Sequence, residues 1–135
     1  MSAIIQPRQF LPGAWAKEDF SAGQTTAVAM AIAGWPSGLD VIVLPRRMSL
    51  VTVMVGLTMA VSAGFIRFEL TKNGIGTGKT IDMDASQGTL RVVKLTPGSL
   101  VGDEGDRIGV QWGSHPSLAP SGIDGVIALE AQPTP

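Results

Sequence analysis

From residue 50 onward, large apolar side chains recur at every second position. Val51, Val53, Val55, Leu57 and Met59 share one phase, and Thr52, Gly56 and Thr58 fall in the other. After a break at Ser62-Ala63-Gly64 the pattern resumes. Ile66, Phe68 and Leu70 face one way, and Arg67, Glu69 and Thr71 the other. A period of two carried by β-branched and aromatic residues predicts strands. Asn73-Gly74 follows at once, and it is the strongest short hairpin cue because both residues tolerate positive φ. Residues 50–80 therefore predict two long antiparallel strands and a turn, with the rest of the chain arranged around them.

The same pattern continues on either side. Residues 25–33 alternate Val28, Met30 and Ile32 with Ala27, Ala29, Ala31 and Ala33. Alanine favours helix, but the period is two, and a strand is expected. Trp35-Pro36-Ser37-Gly38 reads as a turn, and residues 39–44 as a short apolar strand. Residues 79–83 form another, with Ile81 and Met83 on one side. Residues 89–95 change apolar parity at Val92-Val93, which predicts a bulge. Thr96-Pro97-Gly98-Ser99 has Pro and Gly where a type II turn needs them. Residues 106–112 place Ile108, Val110 and Trp112 inward, and residues 123–131 place Ile123, Ile127 and Leu129 on one face. These amount to about eight strands at short spacing with no helix, the pattern of an all-β sandwich and of a jelly roll in particular. An immunoglobulin-like sandwich is the alternative, without the Cys-Trp-Cys signature.

Residues 1–24 differ. Pro7, Pro12 and Gly13 interrupt any regular element, yet Ile4, Ile5, Phe10, Leu11, Trp15 and Phe20 are too apolar for a solvated tail. The expected division is an extended N-terminal arm, 1–24, and a β-sandwich domain, 25–135. The arm either folds back over its own sheet or docks on a partner. Phe10, Leu11, Trp15 and Phe20, with Trp35 in its turn, are the expected anchors to a partner or to another subunit. On this reading the sandwich folds without the arm.

Composition narrows the choices. The chain has 135 residues, enough for one domain with a real core. It has no cysteine, which removes disulfides, thiolate metal sites and thiol nucleophiles. The net charge of -1 gives no electrostatic case for nucleic acid or an anionic membrane. No apolar stretch approaches the ~20 residues of a membrane span. Charged residues make up 16% of the chain, below the roughly 25% of ordinary domains. Mean hydropathy is +0.28. So bland a surface predicts burial against another molecule.

Candidate chemistry is thin. Residues 73–80 (Asn-Gly-Ile-Gly-Thr-Gly-Lys-Thr) resemble a phosphate-binding loop, but the first glycine of that motif would fall on Asn73, and a strand rather than a helix follows Lys79. His115, the one histidine, lies beside Ser114 without a Gly-x-Ser-x-Gly turn. Asp103, Glu104 and Asp106 form an acidic cluster without calcium-loop spacing, and Asp82 and Asp84 are two neighbouring acids on a loop. Trp112, in phase with Ile108 and Val110, is expected in the core. The absence of tyrosine leaves few aromatic platforms for carbohydrate. No catalytic residue, cofactor or metal is assigned.

Three segments carry a resemblance: Lys72-Asn73-Gly74; Gly105-Asp106-Arg107-Ile108-Gly109-Val110-Gln111-Trp112; and Ala119-Pro120-Ser121-Gly122-Ile123-Asp124-Gly125-Val126-Ile127-Ala128-Leu129-Glu130. Over residues 64–131 the chain resembles jelly-roll proteins of tailed-phage virions. The Gly-Asp before an alternating strand is also similar to the last strands of tumour-necrosis-factor-like and C1q-like trimers. Among phage proteins of this size it looks most like a capsid decoration, or cement, protein. That resemblance implies a small β-rich domain, a homotrimer, attachment to the major capsid protein on the outer surface of the virion through an extended arm, and no enzymatic activity. A receptor- or carbohydrate-binding tip of a tail fibre is the alternative.

Overall fold

The apolar phases described above meet between two antiparallel sheets. The computed structural model describes residues 9–11, 13–33 and 39–134, and over these the chain is all-β. Twelve strand segments follow in order: β1 (Gln9–Phe10), β2 (Trp15–Lys17), β3 (Val28–Ala29), β4 (Ala31–Ile32), β5 (Val41–Val43), β6 (Met48–Leu57), β7 (Phe65–Lys72), β8 (Ile75–Asp84), β9 (Leu90–Lys94), β10 (Val101–Gly102), β11 (Arg107–Ser114) and β12 (Gly125–Pro133). The first sheet runs β10-β6-β12-β2-β4, with β9 beside β10 along one edge of β6 and β1 beside β2 along the outer edge of β12. The second runs β3-β11-β7-β8, with β5 beside β3 on β11. All pairings are antiparallel.

The short segments combine. β1 and β2 lie on one line, as do β3 and β5, and β9 and β10. Counted so, the first line pairs with the last (β12), the second with β11, β6 with the β9–β10 line, and β7 with β8. β12 also pairs with β6 and β11 with β7, while β4 adds an outer strand beside β2.

Period two correctly places Val53, Val55, Ile66, Phe68, Leu70, Ile81, Met83, Ile108, Val110, Trp112, Ile127 and Leu129 in one core. Several pairings differ from expectation. β6 and β7 are not a hairpin but lie in opposite sheets, because each has one apolar face and those faces cover one another across the core. The Asn73-Gly74 turn joins β7 to β8 instead. Both residues are left-handed, with φ 54° and 81°, as a two-residue hairpin loop requires. β8 starts directly at Ile75 and takes in Gly76 and Gly78, ahead of the strand expected over residues 79–83. A register shift between Glu69 and Thr71 accommodates it.

The expected bulge at Val92-Val93 is absent, since β9 stays in register with β6 from Thr52↔Lys94 to Gly56↔Leu90. The mixed parity arises because Leu90 and Val92 point outward while Val93 and Leu95 pack against the core. Residues 25–33 are not one strand. β3 joins the second sheet and β4 the first, and the chain crosses at Met30, whose amide donates to the Val110 carbonyl (2.8 Å). The type II turn at residues 96–99 forms as expected, with Ser99 N donating to Thr96 O (3.0 Å) and Gly98 at φ 88°.

The expectation of a separable arm is corrected over its described part. β1 and β2 pair with β12 inside the first sheet. Leu11, Trp15 and Phe20 are buried in the core formed by the later strands. The indole Nε1 of Trp15 donates to the Asp40 carbonyl at 2.8 Å. Phe20 packs edge-on against Phe68 (5.7 Å between centroids) and Trp112 (5.0 Å). Residues with no periodicity of their own thus supply three large side chains to the core.

Candidate functional site

Three of the five expected anchors are not where a partner could reach them. Leu11, Trp15 and Phe20 lie inside the chain's own core, so they are not surface anchors. Phe10 occupies an edge position opposite Glu130, and Trp35 lies outside the described residues. Exposed large apolar side chains lie on both sheets, with Ile75, Val43 and Val28 on the second, and three share the outer face of the first. There Leu90 is 65% exposed, Val92 49% and Val126 43%.

Strand register organises this face into rows. Leu90, Gly56, Val126, Ala16 and Ala31 are successive cross-strand partners on β9, β6, β12, β2 and β4. The next row is Val92, Met54 and Ala128, and the third is Lys94, Thr52 and Glu130. Thr52 Oγ1 donates to Glu130 Oε1 at 2.7 Å. Beyond that row the loop after β9 covers the sheet, with Gly98 N donating to Ser49 Oγ at 2.7 Å. The first two rows carry no charged side chain. They run from large residues at the β9 edge to alanines at the β2–β4 side.

The outer face of the second sheet is different. Phe65, Arg67 and Glu69 project outward from β7, beside Gln111 and Gly113 of β11. With Gln24, Thr25, Ala27 and His115 they line a cleft of about 280 Å³. Arg67 donates twice to Asp82, from Nε at 2.7 Å and from a terminal nitrogen at 2.9 Å. That bond and the adjacent negative charge raise its pKa further. Its guanidinium carbon sits 5.0 Å from the Phe65 ring centroid. The imidazole of His115 lies 5.3 Å from the same ring. Glu69 accepts from Gln111 Nε2 at 2.7 Å and from Gly78 N at 3.0 Å.

The other sequence candidates resolve as structure. Ser114 and His115 do not pair. The serine hydroxyl donates to Ser21 O (2.5 Å) and accepts from Gln24 N (3.0 Å), while His115 Nδ1 accepts from Ser117 N (3.0 Å). Asp82 is bound to Arg67, and Asp84 closes a turn by accepting from both the hydroxyl and the amide of Ser86, bonds that lower its pKa. Asp106 accepts from Asn73 Nδ2 (3.0 Å) and Asp103 N (2.8 Å), and its pKa is lowered, first by Asn73. Asn73 Oδ1 in turn accepts from Arg107 N at 2.9 Å. The hairpin tip is therefore stitched to the acidic loop. Among the described residues, no three acidic or histidine side chains are grouped to hold a metal ion. No helix among them is long and apolar enough to cross a membrane.

Sequence reasoning passed over Leu90, Val92, Val126 and Phe65. The signal for Phe65 was present, since it shares the outward phase of Arg67 and Glu69. Compared with known protein families and with curated proteins, the chain matches none.

Proposed function

We propose that the chain is a structural virion protein, a homotrimeric capsid decoration protein whose subunits meet through the outer face of the first sheet. The apolar rows on that face carry the reading. With strands ~4.8 Å apart, five of them span ~19 Å, and two rows cover roughly 250 Å². A standard contact buries ~800 Å² per partner, so these rows supply its apolar centre and the third row and loops its polar rim.

A second copy is the fitting occupant because the face is graded in one direction. Leu90 and Val92 stand at one side and Ala16 and Ala31 at the other. Large-against-small matching fits a head-to-tail contact, with the bulky half of one face on the small half of the next, and three such contacts related by a threefold rotation close a ring. The pairing of first line with last, second with seventh, third with sixth and fourth with fifth is a long hairpin rolled on itself. It supports a jelly roll, the fold that the resemblance to phage decoration proteins implies.

Sedimentation of the purified chain at micromolar concentration tests the assembly. A trimer is expected, with Leu90→Asp/Val92→Asp monomeric and still folded. Co-sedimentation with heads assembled from the major capsid protein of the same genome tests the role, and the double variant should lose attachment at least tenfold. A wild-type monomer that does not bind such heads overturns the proposal. The fibre-tip alternative is favoured by one observation, the cleft on the second sheet.

A further inference from the structure

The cleft on the second sheet is built from the absence of one side chain. At Gly113 a Cβ would lie 2.9 Å from the Gln24 carbonyl oxygen, so only glycine lets residues 24–27 run this close to β11. The same missing side chain leaves the floor open between that segment and β7. Phe65 and His115 form an aromatic end. Glu69 and Gln111 form a polar end, bonded to each other.

We propose that this cleft binds a single neutral pyranose ring, as a free sugar or as the terminal residue of a glycan. Charge selects against anions. The guanidinium of Arg67 is matched by Asp82, whereas the donors to Glu69, the Gly78 amide and the Gln111 side chain, are both neutral amides, so a phosphate, sulfate or uronate would meet an unmatched carboxylate. Sugar hydroxyls suit Glu69 well, because hydrogen bonds to a fixed carboxylate are the stronger kind. The C–H face of a pyranose suits the Phe65 end. Size limits the ligand to one ring, since about 280 Å³ lies at the lower edge of the ~300–1,000 Å³ usual for small-molecule sites. The inference rests on the cleft alone and does not require the trimer or the capsid.

Amide shifts of the ¹⁵N-labelled full chain, titrated separately with methyl glucoside, methyl galactoside and N-acetylglucosamine, test it. At least one sugar should give saturable shifts at Gln111, Gly113 and His115 with a Kd on the order of millimolar. Glucuronate should bind at least tenfold more weakly than glucose. Glu69→Gln should weaken binding about tenfold. Ala27→Leu, which fills the cleft from an exposed backbone position, should abolish it, with amide shifts elsewhere unchanged. The proposal is overturned if none of the three sugars gives saturable shifts, if glucuronate binds as well as glucose, or if a folded Ala27→Leu binds like wild type. Trimer formation and head binding, read by sedimentation on the same samples, are judged separately.

Discussion

Trp15→Ala tests whether the N-terminal segment belongs to the core. Trp15 is fully buried, and β2 holds it in register opposite Ile127 on one side and Ile32 on the other. Truncating a buried tryptophan costs about 3–5 kcal/mol through lost transfer energy and a residual cavity. The substitution also removes the donor to the Asp40 carbonyl, which adds about 1–3 kcal/mol where that oxygen stays dry. The total approaches the ~5–15 kcal/mol that holds an ordinary domain together. Deleting residues 1–23 removes Leu11, Trp15 and Phe20 together. At ~1.5–3 kcal/mol of burial each, that is about 5–9 kcal/mol, before the loss of pairing along β12. Urea unfolding followed by circular dichroism should show a much lower midpoint for Trp15→Ala with an unchanged slope. The deletion should show no cooperative transition. A truncated chain that unfolds cooperatively at the full-length midpoint would refute the placement of these residues in the core.

The remaining predictions concern smaller terms. Trp15→Phe should destabilise more than Trp112→Phe by about 1 kcal/mol, because Trp15 Nε1 has a carbonyl partner and Trp112 Nε1 has none among the described residues; thermal unfolding of both variants checks this. Asn73→Gly keeps the left-handed backbone but loses the bonds to Asp106 and Arg107, while Asn73→Ala also places a Cβ at φ 54°, so alanine should be worse by about 1 kcal/mol in urea titrations. Asp106 has a folded pKa below its unfolded value, so its bonds add stability above about pH 3.9 and lose it as pH falls through the folded pKa. The difference in urea midpoint between wild type and Asp106→Asn should therefore shrink from about pH 6 to about pH 2.5. Lys79→Ala should change stability by no more than about 0.5 kcal/mol, and calorimetry should detect no ATP or GTP binding to the wild type.

Much of this fold is written locally. Alternation assigned the inward residues of β7 and β11 and those of β12 from Ile127 onward, because side-chain phase in a strand depends only on neighbours two residues away. The Asn73-Gly74 turn was legible for the same reason, since left-handed tolerance belongs to the residues themselves. Which strand pairs with which is another matter. β6 and β7 are adjacent in sequence and equally amphipathic, and nothing local says whether they share a sheet or face each other across the core. Leu11, Trp15 and Phe20 carried no period to show their direction, so only closure of the core against Phe68, Trp112 and β12 decided that they turn inward. The candidate surfaces arise the same way. Leu90, Gly56, Val126, Ala16 and Ala31 come from five strands far apart in the chain, and they form one apolar row only because antiparallel register brings them side by side.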